Sequence, residues 1–119
     1  MSNWFCKEEG LDPVIKIAAF DAGYLIAKNN PALAERAIPV AEGIVATLKG
    51  GGSNDAMNSV FQQGVNTLLE QVKDPLIQAN ILAVLSMLSF KPETPTVLKN
   101  EQLQGLVESF LNGAKAAVA

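Results

Sequence analysis

The side chains that most often carry chemistry are scarce in this chain. Its 119 residues include no histidine, which removes the usual general base, the commonest metal ligand and the usual partner of a serine or cysteine nucleophile. Cys6 is the single cysteine. A reactive thiol needs a lowered pKa, and the only local cation is Lys7, so Cys6 reads as inert. One cysteine also excludes an intrachain disulfide and any thiol pair for zinc. The candidates for paired carboxylates are Glu8 with Glu9 and Glu35 with Glu42. The second pair lies two turns apart across Pro39, and both pairs read as solvated surface charge. A di-metal bundle would need inward Glu-x-x-His pairs, which this composition cannot supply. The run Lys49-Gly50-Gly51-Gly52-Ser53-Asn54 places its lysine before the glycines, whereas a phosphate-binding P-loop needs it after them and a strand ahead. It therefore reads as a flexible connection. No catalytic residue, metal ligand or cofactor site is assigned, and the chain is expected to be non-enzymatic.

The elements that would position any site are helices. Asp12-Pro13 combines a capping carboxylate with a residue preset for the first helical turn, and predicts a helix over 13–28. Its apolar residues surround most of the cylinder, so it expects neighbours on several sides. Asn30-Pro31 repeats that chemistry and opens a second helix ending at Lys49, with a kink or break expected near Arg36 to Ile38 because Pro39 lies inside it. Ser53 or Asn54 caps a third helix in which Met57, Val60, Phe61, Gly64, Val65, Leu68, Leu69 and Val72 oppose Asn58, Gln62, Gln63, Asn66, Glu70 and Lys73. Asp74-Pro75 starts a fourth over 75–90, almost without a wet face, for which Leu82 and Leu85 are expected core positions. Asn80 there must be hydrogen-bonded inside or point through a gap. Pro92 and Pro95 mark a connection, and Asn100 is expected to cap a last helix that Gly113 ends early or frays. No stretch shows the period-two alternation of a strand. The expected fold is all-α: a compact bundle of about five helices, with the apolar helices 13–28 and 75–90 near the centre, forming a single domain over 1–119 with residues 1–11 as an N-terminal arm.

Composition narrows the function. With 49% hydrophobic and 18% charged residues, the chain carries more apolar side chain than a domain of this size readily hides. The excess predicts an interface, a ligand cavity or a membrane-facing patch. The leading expectation is a helical interaction or assembly module that forms a homo-oligomer or receives a protein partner. Its interface candidates are Trp4 and Phe5, two aromatics too costly to leave in water, together with Phe90, Val97 and Leu98. The alternative is a bundle that binds an apolar small molecule or lipid, with Ala18, Ala19, Ala22 and Gly23 leaving space. A further alternative inserts helices 13–28 and 75–90 into membranes. The charge of −3 and the lack of a basic run argue against nucleic acid. The uncharged stretch from Pro75 to Phe90 is too short for a stable membrane span. Without an export signal at the N-terminus, and with a lone cysteine, a cytoplasmic location is expected.

Overall fold

The computed structural model describes residues 6–7, 10–11, 13–88 and 98–118. Five helices hold most of them: α1 (Pro13–Asn29), α2 (Pro31–Lys49), α3 (Asn54–Gln71), α4 (Pro75–Met87) and α5 (Asn100–Val118). The chain is thus an all-α bundle, as its patterning predicts. Two short strands, β1 (Cys6–Lys7) and β2 (Gly10–Leu11), pair antiparallel with Cys6 opposite Leu11. Two residues are too few to leave an alternating signature, so this ladder is silent in the sequence.

Local chemistry sets the helix starts. Asn30 Oδ1 accepts from the Leu33 N–H at 3.2 Å, Ser53 Oγ from Ala56 at 3.1 Å, and Asp74 Oδ1 from Leu76 and Ile77 at 2.8 and 3.4 Å. Each satisfies donors that a helix leaves orphaned in its first turn. The last helix departs from expectation, because Asn100 is its first residue and not its cap. Lys99 holds the cap position: its carbonyl accepts from Leu103 N–H at 2.9 Å, and its own N–H donates to Gln102 Oε1 at 3.1 Å. That reach from three residues downstream is half of a capping box. Asn100 Oδ1 instead accepts from Gln104 Nε2.

Pro39 does not break α2, which runs unbroken from Pro31 to Lys49. Glu35, Arg36, Pro39 and Val40 are all exposed, so the proline lies on the outer side of the helix, where a carbonyl deprived of its i+4 donor is least costly. The glycine run after α2 is an ordered stop. Gly52 N–H donates to Thr47 O at 2.8 Å, Gly51 N–H donates to Leu48 O at 3.2 Å, and Gly51 has φ +84°. This is the Schellman arrangement, which requires a residue at ease in the left-handed region.

The tightest packing joins α1 to α5. Ile15 and Ile26 on α1 and Leu103 on α5 are the most deeply buried large side chains. Between them the helices cross backbone to backbone. A Cβ on Gly23 would stand 2.1 Å from Phe110 O, and one on Gly113 would stand 2.0 Å from Phe20 O. Gly113 therefore does not end α5, which continues to Val118; it lets α1 approach. Two exposed ion pairs also fix the direction of α5 against α2, Lys49 with Glu108 and Lys115 with Glu42, both at 2.8 Å. Their order, early with late, makes the two helices antiparallel. At this exposure each contributes about 0–1 kcal/mol, and Glu42 is thereby a surface ion-pair partner.

α1 touches α2, α4 and α5, the central place that its all-round apolarity predicts. α4 packs on α1 by one face, burying Ile77, Ile81, Val84 and Leu85. Leu85 meets the expectation of a core position at 3% exposure, while Leu82 does not, at 47%. Gln78 joins α4 to the end of α3, its Nε2 donating to Leu69 O at 3.1 Å and Val72 O at 2.6 Å. Asn80 Oδ1 is buried without a partner among the described residues, at a cost of about 1–3 kcal/mol.

Asn58 sits with the polar face of α3 in the sequence pattern, yet it is buried. Its side chain takes both backbone groups of Leu98: Nδ2 donates to Leu98 O at 3.0 Å, and Oδ1 accepts from Leu98 N–H at 2.8 Å. Asn54 Nδ2 adds a second donor to the same carbonyl at 2.9 Å. These bonds tie the segment entering α5 to the start of α3, and leaving the two Leu98 groups unpaired in the interior would cost about 1–3 kcal/mol each.

Candidate functional site

α2 and α3 form a helical hairpin closed by the Gly50–Ser53 turn, a connection short enough to make them antiparallel neighbours. They do not close fully on the helices beneath. A cleft of about 450 Å³ opens between them, within the range of about 300–1,000 Å³ typical of small-molecule sites. Its floor comes from the other three helices: Ala19 and Ala22 of α1, Ile81 and Leu85 of α4, Leu106 and Val107 of α5. All six are buried.

The walls follow from sequence spacing. On α3, Val60, Gly64 and Leu68 recur every four residues and line one side of the cleft, as residues stacked along one helical face must. Apart from Val65, the apolar residues of α3 between Met57 and Leu69 are only partly buried, because the cleft lies where a neighbour would otherwise cover them. Gly64 has open space around its Cβ position, with no atom within 4 Å. On α2, Ala37 and Ala41 keep the facing wall low.

The mouth is marked by the lining residues that are exposed: Arg36 and Val40 on α2, Gln63 and Thr67 on α3. Arg36 precedes Gly50 by fourteen residues and Thr67 follows Ser53 by fourteen, so an antiparallel hairpin brings them to the same level. Thr67 Oγ1 donates to Gln63 O at 2.9 Å. No carboxylate, thiol or amine among the described residues lines the cleft. Among the described residues no cluster of His, Cys, Asp or Glu has the makings of a metal site. The cleft is lined mainly by apolar side chains, with the polar ones at its mouth.

The sequence-predicted positions distribute differently. Ala19 and Ala22, expected to leave space, do so at the cleft floor, while the room beside Gly23 is filled by the α5 backbone. Leu98 is buried in the chain's own core at 3% exposure. Trp4, Phe5, Phe90 and Val97 lie outside the described residues. Arg36, Gln63 and Thr67 carry no motif; their only signal is position opposite one another in a hairpin, which pattern reading along one helix at a time does not reveal.

No protein family matches this sequence. Neither a curated protein nor a solved structure matches it. Among the described residues, no helix is long and apolar enough to cross a membrane.

Proposed function

We propose that this chain is a non-enzymatic helical binding module whose α2–α3 cleft takes an apolar small molecule. The observation that carries the reading is the cleft itself, walled and floored by apolar side chains from all five helices. Its volume of about 450 Å³ lies within the range of about 300–1,000 Å³ in which small-molecule sites fall, and its polar groups are confined to the mouth.

Gly64 supplies the test. Gly64 lines the cleft and its Cβ position has no atom within 4 Å, so Gly64→Leu is expected to occupy part of the cleft. Removing a mid-helix glycine adds about 0.5–1 kcal/mol of stability. The expected result is a higher midpoint in urea together with loss of decanol binding by calorimetry. A wild-type chain that binds no decanol, or a Gly64→Leu variant that binds it undiminished, overturns the reading.

A second reading, assembly through an apolar face, is favoured by one observation. Leu76 and Met87 of α4 are both exposed and lie within about 20° of one another around the helix, and exposed apolar side chains on one face mark contact surfaces. It requires a mass above the monomer's by light scattering, rising with protein concentration. A constant monomeric mass removes it.

A further inference from the structure

We infer that the occupant of the cleft is a free single-chain amphiphile with one anionic head, such as a fatty carboxylate or an alkyl sulfate, whose chain lies on the floor and whose head meets Arg36. This rests on the cleft reading above and adds the chemistry of the ligand's polar end. Three observations support it. The mouth carries one charge, and that charge is positive: Arg36 lines the cleft, while no Asp or Glu does. Arg36 has no ion-pair partner among the described residues, since the two ion pairs there use Lys49 and Lys115. Its own helix offers none either, because the residues three and four away on α2 are Ala32, Leu33, Pro39 and Val40.

A guanidinium standing at the rim of an apolar cavity is suited to a planar or tetrahedral oxyanion, which it can meet with two parallel N–H donors. Across the mouth, the Gln63 amide is a second donor. Thr67 already donates its hydroxyl hydrogen to Gln63 O, so its free capacity is for accepting, and the head is assigned to Arg36 and Gln63. Everything deeper in the cleft is apolar, which fits one chain and leaves a second charge without a partner.

The test compares decanoate, decanol and decyltrimethylammonium below their micellar concentrations at pH 7.5, by calorimetry on the full chain. Decanoate should bind about tenfold tighter than decanol, as a charge-assisted contact allows, and the cation weakest of the three. Arg36→Gln should remove the difference between decanoate and decanol, weakening decanoate about tenfold more than decanol. Because Arg36 is exposed and unpaired, its melting curve should match the wild type. Equal binding of decanoate and decanol by the wild type overturns the anionic head while leaving the cleft reading in place. Failure of all three ligands overturns the cleft reading itself. Recruitment to phosphatidylglycerol vesicles without binding of free decanoate overturns the inference in favour of a bilayer surface.

Discussion

Replacing either Gly23 or Gly113 by alanine should destabilise the bundle more than any other single methyl addition. A Cβ at position 23 would lie 2.1 Å from Phe110 O and 3.1 Å from Ala114 N; one at position 113 would lie 2.0 Å from Phe20 O and 2.8 Å from Phe20 C. These obstacles are backbone atoms of a facing helix, so no rotamer change relieves them and α1 and α5 must move apart. Such overpacking costs about 1–3 kcal/mol or more. For a chain of this length, that lowers Tm by roughly 5–15 °C. The two sites are reciprocal: the glycine of each helix receives the backbone of the other. A separation that admits the first methyl admits most of the second, so the double variant should cost clearly less than the sum of the single ones. Gly43→Ala is the control, since Gly43 is an exposed mid-helix residue of α2 with nothing within 4 Å of its Cβ position. It should gain about 0.5–1 kcal/mol. Alanine at 23 or 113 behaving like alanine at 43 would mean that the helices do not cross there.

What the sequence makes legible here is local. Asn30, Ser53 and Asp74 cap helices within three residues of themselves, so their chemistry is complete in a short window and the helix starts follow from it. The glycines show where such reading ends. Gly113 looks like a weak point within α5 because its purpose lies on α1, about ninety positions away in the chain. Asn58 looks like surface because its neighbours Gln62 and Asn66 are polar, yet its partner is the backbone of Leu98, which has no signature in the side-chain pattern. The cleft is half legible. An apolar excess in a small chain requires a surface or cavity to receive it, and Ala19 and Ala22 hint at space. Its location depends on how far the α2–α3 hairpin stands off the other helices, a tertiary property. Arg36 follows the same logic: one exposed cation among nine basic residues acquires meaning only from what lies across the hairpin.

Leu85→Ala should cost about 2–5 kcal/mol, while Leu82→Ala, three residues earlier on the same helix, should cost under about 0.5 kcal/mol. The near-uniform apolarity of α4 gives no direction to its buried face, so the two leucines are equivalent in the sequence. At about 100° per residue, Ile77, Ile81, Val84 and Leu85 fall on one arc of the helix, and all four are buried. Leu82 lies about 60° beyond Leu85 by the same geometry, outside the buried arc and 47% exposed. Truncating Leu85 leaves a cavity facing α1; truncating Leu82 removes a side chain already half in water. Urea denaturation at low protein concentration reads both, with the slope unchanged if the transition stays two-state. A loss at Leu82 equal to that at Leu85 under those conditions would show that α4 is turned the other way. A loss at Leu82 that emerges only as protein concentration rises has a different cause. Removing a side chain from a subunit contact weakens association, and stability coupled to association depends on concentration. The same pair of variants therefore distinguishes a rotated α4 from an α4 whose outer face meets a second copy of the chain.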